Sequence, residues 1–133
     1  MEDPTAIKIK SFTDLKVWQV GHRLVICIYK ITRDFPREET YSLIDQMRRS
    51  SSSVTSNVAE GFGRQTLKEK VQFYFQAKGS LTELKDQILI ARDVGYLKES
   101  DLQVLTALTN DTGKLLQGLI SKTRLFINQK SES

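Results

Sequence analysis

The chain of 133 residues has one cysteine, one histidine and two prolines, and these scarcities exclude several kinds of site. Cys27 cannot form an internal disulfide, and its position in the apolar run LVICIY is typical of a small buried side chain in a reducing compartment. One histidine and one cysteine are too few for a zinc site. His22 also belongs to no Glu-x-x-His pair, so the di-iron pattern of helical bundles is missing.

Long apolar runs are missing as well. No run approaches the roughly 18–20 residues that cross a bilayer, and residues 1–10 carry two acids and no apolar segment of a secretory signal. We therefore expect a cytoplasmic protein with no membrane association. The segment 61–64, GFGR, lacks the Lys-Ser/Thr ending of a phosphate loop, and nothing marks His22 for Ser-His-Asp chemistry. These absences predict a protein without a cofactor that is not an enzyme.

What the chain does contain is helical periodicity, with apolar residues recurring every three or four positions and no alternating strand pattern. Thr66 and Glu69 form a capping box at the start of one helix, and Ser100 and Gln103 form another. The periodicity predicts a flexible arm over residues 1–11 and one domain over 12–129, with helices at about 13–35, 39–61, 66–94 and 100–128. Because the connections are short, we expect an up-down-up-down antiparallel four-helix bundle, an all-α fold.

The third predicted helix has more apolar surface than one bundle can bury. Its core stripe consists of six residues at helical spacing: Tyr74, Ala77, Leu81, Leu84, Ile88 and Ala91. Five further apolar residues lie off that stripe, namely Leu67, Phe73, Phe75, Leu89 and Ile90. A helix that is apolar on two faces either is central or contacts another subunit, and a four-helix bundle has no central helix. The surplus predicts a homo-oligomer.

The second predicted helix carries a polar stripe inside the segment 46–64, QMRRSSSSVTSNVAEGFGR. The stripe consists of Gln46, Arg49, Ser53, Asn57 and Glu60. Four consecutive serines weaken a helix unless packing requires small side chains there. We interpret the stripe as a structural polar network with Ser80 and Glu83 of the third helix, in which Glu83 pairs with Arg49 and Gly79 permits close backbone contact. The alternative is a ligand or catalytic site on Asn57, Glu60 and Glu83.

This segment resembles the signature of the four-helix-bundle proteins encoded in intervening sequences of bacterial 23S ribosomal RNA genes. The flanking motifs agree in order and spacing: Phe12, Leu15, Val17-Trp18, Tyr29, Phe35-Pro36, Glu39, Tyr41-Ser42-Leu43, Gly79-Ser80-Leu81, Glu83-Leu84, Ala91 and Gly95-Tyr96-Leu97. That family includes the accessory variability protein of diversity-generating retroelements. The resemblance covers residues 12 to 125 and implies a barrel-shaped homopentamer. It also implies RNA partners and an association with the ribosome, or with a reverse transcriptase.

The net charge of +4 permits a polyanionic partner without requiring one. Outward-facing cations suited to phosphates are Lys16, Arg23, Lys30 and Arg33 on the first predicted helix, and Lys114, Lys122 and Arg124 on the fourth. Aromatic stacking platforms are not predicted, because Trp18, Tyr29 and Tyr74 fall on core stripes. The sequence therefore favours a non-enzymatic accessory protein that binds structured RNA or an RNA–DNA intermediate. The alternative is a protein-interaction scaffold that uses the extra apolar face.

Overall fold

The computed structural model describes residues 8–132, which form four α-helices and two short 3₁₀ turns. The helices are α1 (Lys16–Thr32), α2 (Leu43–Phe62), α3 (Leu67–Asp93) and α4 (Glu99–Glu132). The 3₁₀ turns, Phe12–Asp14 and Arg37–Glu39, precede α1 and α2. No strand occurs among the described residues, so the predicted all-helical fold is confirmed.

The four helices pack around a square. Helix α1 contacts α2 and α4, and α3 contacts the same two helices, while α1 and α3 lie diagonally opposite. Neighbouring helices run antiparallel. Arg48 near the start of α2 binds Thr32 at the end of α1, and Ser50 near the start of α2 binds Gln87 toward the end of α3. Between α3 and α4, Lys78 meets Gln117 and Lys85 lies near Gly113. This arrangement is that of the expected bundle.

The first helix is shorter than its periodic pattern indicates. Residues 12–14 form a 3₁₀ turn because Ser11 caps it, and the Asp14 carboxylate accepts from the backbone N–H of Lys10 and Ser11. These two hydrogen bonds lower the pKa of Asp14. Of the predicted arm, residues 1–7 lie outside the described residues, and Ser11 already belongs to this cap. The helix ends at Thr32, four residues before Pro36.

Local capping sets the bounds of α3. Thr66 Oγ1 accepts from the Glu69 N–H at 3.2 Å, and Glu69 accepts from the Thr66 N–H at 3.3 Å, as the capping box predicts. At the other end Gly95 has φ of 86°, and the N–H of Tyr96 reaches back to the Ala91 carbonyl at 2.9 Å. This is a Schellman ending, which favours glycine at that position. The predicted Ser100 cap is wrong, because α4 begins at Glu99 and Ser100 lies inside its first turn.

The core runs along the bundle axis and contains the whole predicted α3 stripe, including Leu84 and Ala77 with no exposed surface. On α4 the buried face includes Leu105, Thr109, Leu116 and Ile120, whereas Phe126 near the end of the helix is 45% exposed. Buried threonines fit this face because each hydroxyl can bond within the helix, as Thr112 does to the Leu108 carbonyl at 2.7 Å.

None of the helices in the described part of the chain combines the length and the apolar character needed to cross a membrane. Half-buried Cys27 lies beside the core cluster. Burial, with a smaller contribution from the Asp101 carboxylate, raises the pKa of its thiol.

Candidate nucleic-acid interface

Helix α1 presents an outward face whose charges are all positive. Its 17 residues include no aspartate or glutamate. The predicted cations Lys16, Arg23 and Lys30 are exposed, as is Arg33 directly after the helix. Within residues 8–130, none of these four side chains forms an ion pair or a hydrogen bond. Their charges are therefore available to a ligand from outside the chain.

The predicted α4 cations do not lie together. Lys114 lines a groove of about 360 Å³ between α3 and α4, opposite Lys78 and Lys85. Arg124 places its guanidinium carbon 4.5 Å from the ring centroid of Phe75, which also belongs to α3. Lys122 is exposed and has no ion-pair partner among the described residues. Lys114 and Arg124 thus face α3, the helix diagonally opposite α1.

Sequence reasoning missed Lys78 and Lys85 as candidate site residues. The signal that could have found them is their heptad spacing, which Arg92 continues one heptad later on the same side of α3. Arg92 differs from the two lysines because it donates to the neighbouring Asp93 carboxylate at 2.8 Å. This hydrogen bond raises the pKa of Arg92 and lowers that of Asp93.

The centre of the predicted polar network joins α2 to α3. The Ser53 and Ser80 hydroxyls lie 2.8 Å apart across the two helices. Asn57 Nδ2 donates to the Ser53 carbonyl at 2.9 Å and to the Ser53 hydroxyl at 3.1 Å. These contacts require small side chains on both helices, which is the physical reason for the serine-rich sequence.

A second chain of hydrogen bonds across the α2–α3 contact, here called the seam, involves Gln87, which sequence reasoning also missed. Gln87 is only 4% exposed. Ser50 Oγ donates to Gln87 Oε1 at 2.6 Å, and Gln87 Nε2 donates to the Glu83 carboxylate at 3.3 Å. Because no buried side-chain nitrogen or oxygen of the described residues lacks a partner, the seam is internally satisfied.

The outer members of the predicted network are not buried. Gln46, Arg49, Glu60 and Glu83 are exposed. The expected Arg49–Glu83 pair is absent, because Arg49 reaches Asp45 instead, at 3.5 Å and one turn earlier on α2. Glu60 pairs with Arg64 at 2.7 Å, and its side chain is 55% exposed. The interpretation of these acids as buried carboxylates is therefore wrong.

Three of these exposed side chains, Gln46, Arg49 and Glu83, line an open groove of about 460 Å³ between α2 and α3, together with Asp45. Asn57 and Glu60, which the alternative interpretation places in a ligand site, are not among its lining residues. Within residues 8–132, no three side chains of His, Cys, Asp or Glu come close enough together to hold a metal ion.

Close helix packing occurs at a glycine other than the predicted one. A Cβ built on Gly61 would lie 2.7 Å from the Tyr74 ring and 2.9 Å from Phe73 Cβ, so α2 and α3 meet most closely there. A Cβ on Gly79 would meet nothing within 4 Å. The predicted close contact at Gly79 is therefore not made inside one bundle.

One tyrosine departs from its expected core placement, and a second is exposed outside the helices. Tyr29 is 39% exposed, and the Arg48 guanidinium lies 4.6 Å from its ring centroid. Tyr41, in the connection before α2, is 95% exposed. The prediction that Tyr29 belongs to the core was wrong, because α1 turns its Val17, Val20 and Leu24 edge inward instead.

Comparison with known proteins gives the chain a family and a fold. The family model described as "23S rRNA-intervening sequence protein" matches residues 13–118. No curated protein matches the chain. A similar solved structure is the 1.70 Å crystal structure of a protein with unknown function from the S23 ribosomal protein family of Bacteroides thetaiotaomicron. The two chains are 17% identical and superpose with a TM-score of 0.70, over 78% of this chain and 97% of the other. At this identity the likeness concerns the fold alone.

Proposed function

The chain belongs to the 23S rRNA-intervening sequence protein family, and we propose that it is a non-enzymatic cytoplasmic accessory protein that binds structured RNA. An RNA–DNA intermediate presents the same phosphate groups and belongs to the same proposal. The observation that carries it is the outer face of α1, where Lys16, Arg23 and Lys30 have neither an acid on their own helix nor a partner within the described residues.

The mode of binding follows from the side chains on that face. Lysine and arginine neutralise phosphates and release counterions, whereas base reading needs side chains that reach the groove edges or stack on unpaired bases. The α1 cations recur along roughly one side of the helix, from Lys16 to Arg33, over about 26 Å at 1.5 Å per residue. We therefore expect recognition of backbone and shape with little sequence preference.

The test is the salt dependence of binding to a structured RNA, measured by fluorescence anisotropy between 50 and 200 mM salt. If several phosphates are contacted, affinity should fall by orders of magnitude across that range, by about 10³ for six contacts. Absence of binding at 50 mM salt would contradict the proposal and favour a protein-interaction scaffold.

Self-association supports this proposal because it would multiply the cationic face. Ile90 of α3 and Val94, directly after that helix, are 44% and 55% exposed, so part of the apolar surplus stays uncovered in a single bundle. Five copies of a chain with net charge +4 would carry about +20, a field that attracts a polyanion. We propose that the family's pentamer, expected from the resemblance, assembles through this α3 face.

Light scattering tests the assembly directly. A single chain has a mass of 15.2 kDa, so five copies would have about 76 kDa. A 15.2 kDa particle at micromolar concentration would contradict self-association. The exposed apolar face also favours the scaffold as a second candidate function. The two functions differ in their response to Ile90→Lys, which should abolish partner-protein binding by a scaffold while leaving phosphate contacts on α1 in place.

A further inference from the structure

A continuous groove runs between α3 and α4, and its charged lining is cationic. One part of about 360 Å³ contains Lys78, Lys85 and Lys114. The adjoining part of about 340 Å³ contains Lys85 again, together with Arg92. The two parts also share Asn110, so they adjoin each other along both helices. Lys78, Lys85 and Arg92 are spaced one heptad apart, which places them on one side of α3 over about 21 Å.

These cations have few compensating partners. Lys78 Nζ donates to the neutral Gln117 Oε1 at 3.0 Å. Lys85 and Lys114 form no ion pair or hydrogen bond within residues 8–130. Arg92 is held by Asp93 and contributes less free charge. No aspartate or glutamate lines either part of the groove.

Both helices bring donors to the same place. An added Cβ on Gly113 would lie 3.8 Å from Lys85 Nζ, so the lysine of α3 extends across the groove to the backbone of α4. Lys114 follows Gly113 directly and lines the same part of the groove. Like charges on the two helices repel each other, and an anion bound between them lowers that repulsion. Thr82, Asn110 and Gln117 supply neutral hydrogen-bonding groups beside the cations.

We propose that the α3–α4 groove is a second phosphate-binding site, which holds the backbone of one nucleic-acid strand. The proposal rests on the proposed function for the identity of the ligand. Because packed helices lie about 8–10 Å apart, the groove between them admits one row of phosphates. The lining residues of the groove belong to α3 and α4, and none of them lies on α1.

The experiment compares four proteins of full length binding a labelled single-stranded 12-nucleotide oligouridylate at 100 mM salt. They are the unmodified chain, Lys85→Gln/Lys114→Gln in the groove, Lys16→Gln/Lys30→Gln on α1, and a control, Arg37→Gln/Lys98→Gln. All six substituted side chains are exposed, so the variants should fold normally. The groove variant should bind about 25-fold more weakly, and its slope of log K against log salt should be shallower by about 1.4. The control should lose much less affinity than the groove variant.

Three results would overturn the proposal, and they are distinguishable from failure of the proposed function. If the groove variant matches the control while the α1 variant weakens, the α1 interface stands and the groove proposal fails. If polyglutamate of equal charge binds the groove as tightly as the oligouridylate, the site is a seat for acidic proteins. If no RNA binds at all, the proposed function fails, and the groove is then tested with inorganic tripolyphosphate. A saturable shift of the Gly113 amide resonance on adding tripolyphosphate, lost in Lys85→Gln/Lys114→Gln, would support a phosphate site in the groove. Absence of that shift would overturn the groove proposal.

Discussion

The α2–α3 seam and the outer face of α1 are both rich in polar groups, but these groups differ in where their partners lie. In the seam, Ser53 meets Ser80, and Gln87 bridges Ser50 to Glu83. On α1, Lys16, Arg23 and Lys30 have no hydrogen-bond or ion-pair partner in the described part of the chain. A polar group that is satisfied internally contributes to folding, whereas an unpaired exposed charge costs little and remains available for binding. The comparison indicates that the serine-rich segment serves packing, and it leaves the outer face of α1 as the candidate binding surface.

The largest effect on stability should come from adding a methyl group at Gly61, where α2 and α3 approach each other closely. Gly61→Ala should destabilise the bundle by about 1–3 kcal/mol, because the new methyl group overlaps the Tyr74 ring. Urea unfolding followed by circular dichroism measures the loss. Gly63→Ala is the matched control, since its Cβ would lie 3.6 Å from the nearest atom, the Glu60 carbonyl oxygen. Equal stability of the two variants would show that the seam does not depend on close backbone approach.

An intermediate effect is expected where the seam's buried relay is removed without a change in size. Gln87→Met keeps a similar volume but removes the acceptor for Ser50 and the donor to Glu83. The expected cost is about 1–2 kcal/mol, measured by thermal and urea unfolding. Gln76→Met, on the exposed side of the same helix, should change stability by less than about 0.5 kcal/mol. A neutral Gln87→Met would mean that the relay is incidental to the fold.

The smallest effect on stability is expected at Gly79 and Gly118, two glycines with no neighbouring atoms in a single bundle. Their surroundings would differ only if copies of the chain associate. Added Cβ atoms on Gly79 and Gly118 would meet nothing within 4 Å. In a lone bundle both Gly→Ala changes should stabilise by up to about 1 kcal/mol through helix propensity. If a second copy covers the α3 face, Gly79→Ala should instead weaken association, as light scattering against dilution would reveal. Identical gains at both positions would argue against an interface at Gly79.

The sequence predicted the helical bundle well because helical period and capping are local properties. The α3 stripe is buried as predicted, and the Thr66–Glu69 box forms. The sequence predicted the ion-pair partners and the burial of individual polar side chains less well. Exposed Glu60 and Glu83 lie on the same helical stripes as the half-buried Ser53 and Ser80, respectively. Spacing alone does not say how far a side chain lies from the axis of the bundle.

The same limit of helical spacing applies to the candidate nucleic-acid interface. The α1 cations could be found from one helix, because no acid interrupts them. The α3–α4 groove could not, since Lys78 and Lys85 acquire Lys114 as a neighbour only once two helices have packed. Lys114 and Arg124 were grouped with α4 alone for that reason. Oligomer number and the identity of the ligand involve molecules outside the chain and stay predictions.

The central claim is tested most directly by removing the same charge from partnered and unpartnered cations. Arg23→Gln/Lys30→Gln removes two unpaired cations from α1, whereas Arg49→Gln/Arg64→Gln removes two whose guanidinium groups already pair with Asp45 and Glu60. The measurement is the slope of log K against log salt for structured RNA, from 50 to 200 mM. Our account predicts that the α1 variant loses about 1.4–1.8 from that slope and that the partnered variant loses much less. Equal losses would contradict it, because net charge alone, and not the unpaired face of α1, would then govern binding.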